Sequence, residues 1–167
     1  MTKKVSDCAQ VAKLLKQKGK ELGLTLSAKS ISYAGRNSVT VDVLTGIDKA
    51  IKDLKDYSEQ FEYSKWNGVY ELNNYNENIP QTCYVFVKDK RAYTILQGLN
   101  NEVWNCTFYI NDKDYGWYGF VNKLKKVYDK NEWQEVLQSL VKEQGKVPFD
   151  GRGFLFKIYN PPQEEVV

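Results

Sequence analysis

The side chains that could do chemistry here are carboxylates, lysines, tyrosines and three cysteines, because the 167-residue chain contains no histidine. That zero removes Ser-His-Asp and Cys-His nucleophile activation, imidazole proton shuttles and every zinc site that needs an imidazole ligand. Cys8, Cys83 and Cys106 are an odd number and none stands in a CxxC pair. Neither a zinc site nor a disulfide framework is expected, and buried free thiols in a reducing compartment fit best. Carboxylate pairs remain to be weighed. Asp112 and Asp114 stand in an Asn-Asp-Lys-Asp loop, without the glycine and distal glutamate that a calcium loop needs at fixed offsets. Asp53 and Asp56 fall on the exposed face of a helix, as solvating residues. No glycine-rich phosphate loop occurs, and Gly151-Arg152-Gly153 reads as a connector into the last strand. No catalytic residue, cofactor or metal is expected.

Binding is the chemistry left. Residues 1–36 carry eight basic residues against Asp7 and Glu21, a net +6 that leaves −3 on the remainder of the +3 chain. A basic end of this kind can steer a protein toward nucleic acid, an anionic surface or an acidic partner; the plainer alternative is a solvated helix face. Lys13, Lys16, Lys20, Lys29 and Arg36 are its candidate contacts, with Lys3 and Lys4 beside them. Only three of the 24 basic residues are arginine, which counts against base readout by the bidentate guanidinium fork. Aromatic residues make up 14% of the chain. Trp104, Phe108, Tyr109, Tyr115, Trp117, Tyr118 and Phe120 crowd into one stretch, where they could stack on bases, anchor a protein interface or fill a core. Strand alternation turns Trp104, Cys106, Phe108 and Ile110 inward. Tyr109, Tyr115, Trp117 and Tyr118 are then the candidate surface, with Tyr109, Tyr115 and Tyr118 the most exposed.

The elements that must position these residues follow from periodicity. Cys8, Val11, Ala12, Leu15, Gly19 and Leu22 share one face of a helix at 7–22, capped by Ser6 and ended by Gly23. Strands at 24–33 and 38–44 flank a turn at Ala34-Gly35-Arg36-Asn37 and form a hairpin. A helix at 46–62, with Thr45 and Asp48 as a capping box, buries Ile47, Ala50, Ile51, Leu54, Tyr57 and Phe61. Residues 64–81 read as an irregular loop with a turn at Asn67-Gly68. Strands follow at 82–88, 91–97 and 103–110. Helices at 115–129 and 132–144, the second bounded by Asn131 and Gly145, precede a last strand at 153–159.

The predicted class is α+β, with antiparallel sheets and about four helices in the order α-β-β-α-β-β-β-α-α-β. The length suits a single compact domain over 1–167. Its possible subdivision is an α-β-β-α unit at 1–75 and an aromatic-rich unit at 80–160. The polar, lysine-rich start is not a signal peptide, and no apolar run approaches the ~20 residues of a membrane span, so a cytoplasmic location is expected.

One stretch resembles a known family. Ser30, Tyr33, Gly35, Ser38, Val39 and Val41 match a helix-then-hairpin pattern, S-x-x-Y-x-G-x-x-S. Gly46, Phe61, Asn67, Gly68, Tyr75, Tyr84, Val85, Phe86 and Val87 match its helix, its F-[DN]-G-x-x-[DE] turn, its aromatic and its Y-V-F-V strand. The pattern, over residues 8–90, is similar to a large polyvalent protein-associated domain, number twenty-nine in that series. Trp66 stands where the family often has Phe, Glu71 near a usual Asp, and the tryptophan often found after the hairpin is missing. The resemblance implies an origin in phages or conjugative elements and supplies no catalytic residues. Small size, missing catalytic equipment, a charged and aromatic surface and this resemblance together lead to the expectation of an accessory protein that acts by stoichiometric binding, on a bacterial host protein or ribonucleoprotein complex such as a CRISPR effector. The alternative is a nucleic-acid-binding module, for DNA or RNA, on the basic N-terminal face. A third possibility is a histidine-free enzyme working through carboxylates, lysine or tyrosine.

Overall fold

The computed structural model describes residues 5–66, 68–69, 71–97, 106–128, 131–144 and 155–163. Lys3, Lys4, Asn67, Trp104, Gly145 and the Gly151-Arg152-Gly153 connector lie outside these. The chain divides into two compact units, Met1–Lys90 and Arg91–Val167.

In the first unit, α1 (Asp7–Glu21) buries Cys8, Val11, Ala12, Leu15 and Gly19 along one stripe. Gly19 lets the Leu26 side chain pack directly over α1, where a Cβ would displace it. α1 ends at Gly23, whose φ of +77° suits a residue without a Cβ. β1 (Thr25–Tyr33) and β2 (Arg36–Thr45) pair antiparallel. Their turn is only two residues long, Ala34-Gly35, both at positive φ as a twisted hairpin requires. Arg36, placed in the turn by the sequence, is therefore the first residue of β2. α2 (Asp48–Ser58) begins later than predicted, since β2 runs through Thr45 and the cap position falls on Ile47 instead. A 3₁₀ turn at Glu59–Phe61 follows. The predicted loop contains a short hairpin, β3 (Ser64–Trp66) with β4 (Glu71–Asn73). β5 (Tyr84–Asp89) then lies parallel beside β2, giving the order β1-β2-β5. The core is mostly aliphatic: Val39, Val41 and Val43 of β2 meet Val11, Leu15, Ile51 and Leu54 of the two helices, with the Phe61 ring buried among them.

The second unit opens on α3 (Arg91–Gln97), where a strand was predicted. A seven-residue run fits either period, and burial of Ala92 and Leu96 on one helical face decides it. β6 (Thr107–Ile110) and β7 (Lys113–Tyr115) form a hairpin through Asn111-Asp112, at φ +49° and +63°. The Asn-Asp-Lys-Asp run is thus a tight turn, built on residue types that tolerate left-handed backbone. α4 (Trp117–Val127) and α5 (Glu132–Gln144) precede β8 (Leu155–Ile158), which lies parallel to β6 in the order β7-β6-β8. This core is aromatic. The Phe108 ring lies 4.7 Å from Phe120 and 5.5 Å from Phe156, with Trp133 fully buried nearby. The Gln144 side-chain amide donates to the Lys157 carbonyl at 2.9 Å and accepts from the Lys157 N–H at 2.7 Å, covering the β8 edge.

The class is α+β, as the sequence predicts. Among the described residues there are five helices, and the third strand of each three-stranded sheet pairs parallel. No helix among them is long and apolar enough to cross a membrane.

Candidate binding face

Alternation gives the first sheet two faces. Helices cover the face carrying Val39, Val41 and Val43. Register then fixes which residues of the neighbouring strands share it: Ala28 opposite Val41, Val85 opposite Val39 and Val87 opposite Val41. The other face consequently receives rows of Ile31, Ser38 and Tyr84, then Lys29, Thr40 and Phe86, then Ser27, Asp42 and Lys88, with Tyr33 opposite Arg36. This face is open. Ile31 is 53% exposed, Tyr33 43% and Phe86 46%.

The upper end of the face is locked by a charged cluster. Arg36 donates to both Glu71 carboxylate oxygens, at 3.1 and 3.2 Å. The Tyr84 hydroxyl donates to Glu71 Oε1 at 2.6 Å, and the Ser64 hydroxyl also donates to that oxygen. The Tyr84 hydrogen bond, together with the Arg36 guanidinium, holds Glu71 below the usual carboxylate range. Glu71 in turn raises both Tyr84 and Arg36 above their ordinary values. Four donors on one ionised carboxylate leave it little basicity for proton abstraction. The effect of the cluster is positional: it fixes the Tyr84 ring, which stacks on Phe86 at 6.1 Å and 26°.

Polar groups behind the sheet fix the entry of β5. Asn37 Oδ1 accepts from the Thr82 hydroxyl and the Cys83 N–H, both at 2.8 Å. Glu62 accepts from the Val85 N–H at 2.7 Å. The Tyr63 hydroxyl lies 2.6 Å from the Cys83 sulfur, and that hydrogen bond, with burial, pushes Tyr63 up to about 12. Cys8 and Cys83 are buried thiols and Cys106 is half-buried, none of them in a disulfide.

The predicted contacts fall in three places. Lys13, Lys16 and Lys20 are exposed on α1, whose opposite side packs on the valine face; Lys29 and Arg36 stand on the open face. The basic segment is thus split by its own sheet. Tyr109, Tyr115, Trp117 and Tyr118 belong to the second unit. Tyr115 and Trp117 are half-buried against its aromatic core, and Tyr109 is half-buried with Lys157 over its ring at 5.9 Å. Only Tyr118, 79% exposed, is freely available among these four. The predicted exposed patch contracts because rings beside Phe108 and Phe120 are used to shield them. Asp53 and Asp56 pair with Lys49 and Lys52 one turn away, at 2.8 and 2.7 Å. Among the described residues no three His, Cys, Asp or Glu side chains gather where they could hold a metal ion.

In the sequence only the resemblance singles out Tyr33, Tyr84 and Phe86, and nothing singles out Ile31 and Lys88. Their signal was the alternation Tyr84-Val85-Phe86-Val87-Lys88, in which valines separate residues of different chemistry. No family model matches the chain, and no curated protein and no solved structure matches it either.

Proposed function

We propose that this protein acts by stoichiometric binding, through the open face of its first sheet. On this reading it is an accessory protein of a phage or mobile element, working in the cytoplasm of a bacterial host against a defence complex such as a CRISPR effector. The observation that carries the binding surface is the exposure of Ile31, Tyr33 and Phe86 on one sheet face, beside Lys29 and Lys88. Apolar side chains gathered on an exposed sheet face mark interaction surfaces more often than isolated ones do. The origin and target are supported by the resemblance over residues 8–90.

The test is phage plaquing on a host with an active CRISPR effector, at graded expression of the protein. Plaquing should recover in proportion to protein until the effector is saturated, and Phe86→Ala should weaken the recovery. Full recovery at protein levels far below the effector would indicate turnover and overturn the reading. A second reading keeps the α1 lysines as a nucleic-acid contact. It is favoured by Lys13, Lys16 and Lys20, which line one exposed stripe without an ion pair among the described residues. It predicts binding that weakens steeply with salt.

A further inference from the structure

We infer that the open face of the first sheet takes single-stranded nucleic acid, with bases stacking on Phe86 and Tyr33; this rests on the proposal that this face is the binding surface. Three observations converge. The first is the type of ring and its placement. Phe86 and Tyr33 are both exposed, on the two outer strands of the sheet. Sheet spacing sets their backbones about 16 Å apart on the diagonal, across two strands and two rows. The buried Ser38 lies on the line between them, with Ile31 and Thr40 on one side and Arg36 and Tyr84 on the other. An extended strand can lay one base on each ring and pass intervening bases over this mixed floor. Every base has a π-face, so stacking of this kind tolerates any sequence.

The second observation is charge. Lys29 is two residues from Tyr33's neighbour Ile31 on β1, and Lys88 is two residues from Phe86 on β5, all on this face. Among the described residues neither lysine is in an ion pair. The one carboxylate at the end of the face, Glu71, is neutralised by Arg36. Asp42 shares the Lys88 row on this face, with one carboxylate oxygen buried and without a hydrogen-bond partner among the described residues. Two lysines against that one carboxylate leave a net +1 for a ligand.

The third is preorganisation. Arg36 and Glu71 clamp the Tyr84 hydroxyl, and the Tyr84 ring backs Phe86. Phe86 is thereby held in one orientation before a base arrives, which lowers the ordering cost of binding. A duplex keeps the faces of its bases stacked inside and cannot use these rings.

The test is fluorescence anisotropy on the full chain, with a labelled oligouridine, a labelled oligothymidine and a labelled DNA duplex. Both single strands should bind saturably and the duplex more weakly. Phe86→Ala and Tyr33→Ala should each weaken single-strand binding about tenfold or more, and Phe86→Trp should retain it. With two lysines engaged, the slope of log K against log salt should be shallow, no steeper than about −1.4. No saturable binding of either single strand overturns the inference. So does binding that is unchanged in both alanine variants, or a preference for the duplex that is lost when Lys13, Lys16 and Lys20 become Gln. If no oligomer binds while Phe86→Ala still weakens the recovery of plaquing, this inference fails and the binding face stands.

Discussion

The two units place their aromatic residues in opposite ways. The first unit builds its core mainly from Val39, Val41, Val43, Leu15, Ile51 and Leu54, buries one ring, Phe61, among them, and leaves Tyr33 and Phe86 outside. The second builds its core from Phe108, Phe120, Phe156 and Trp133, and half-buries Tyr115 and Trp117 against it. The strand plans differ too. The central strand is the second of the hairpin in the first unit and the first of the hairpin in the second. Aromatic density therefore does not locate a binding surface. The denser stretch is consumed by packing, while the sparser one has rings to spare because aliphatic residues already fill most of its core.

The sharpest way to break this contrast is at the cores. Trp133→Ala should cost about 3–5 kcal/mol by emptying a fully buried site. It should appear in hydrogen exchange as loss of protection across the second unit. Trp133→Phe should cost far less, since it also deletes a buried Nε1–H that lacks an acceptor among the described residues. Leu54→Ala, fully buried in the first unit, should cost about 2–5 kcal/mol. Phe86→Ala should cost only about 1 kcal/mol, the scale of its stacking on Tyr84. Equal losses for Phe86 and Leu54 would make the open face part of a core.

Smaller effects test the cluster that positions Tyr84. Glu71 is held below its ordinary value near 4.5, first by the Tyr84 hydroxyl and then by Arg36. Its contribution to stability is therefore present above that value and lost as pH falls through the lower folded value. Glu71→Gln should flatten the acid limb of the stability profile. Tyr63 behaves in the opposite sense. Raised from 10.0 to about 12, it contributes stability that is complete below pH 10 and lost as pH rises toward 12. Tyr63→Phe should flatten that alkaline limb, read by denaturation midpoints across the range.

Much of the fold is legible in the sequence, because strong periodicity survives tertiary context. The stripe of α1, the Val39-Val41-Val43 alternation and the 132–144 helix all stand as predicted. Elements too short to show a period were missed: the helix at 91–97, the three-residue strand at 113–115 and the β3–β4 hairpin. The site is less legible for a different reason. Both sides of the Tyr84–Lys88 strand are apolar enough to be buried. Only its parallel register with β2 turns the valines inward and the rings outward. Lys29 and Arg36 were predicted contacts, but grouping them with Lys13, Lys16 and Lys20 by charge overlooked the sheet that separates them.

The central claim is that binding belongs to the open face of the first unit. Titrating one partner, the labelled oligouridine or the defence complex itself, against Phe86→Ala and Tyr118→Ala side by side tests it most directly. Both remove an exposed ring, one from each unit. The account predicts about a tenfold loss for Phe86→Ala and no more than about twofold for Tyr118→Ala. The reverse order, or an equal loss in both, would contradict it.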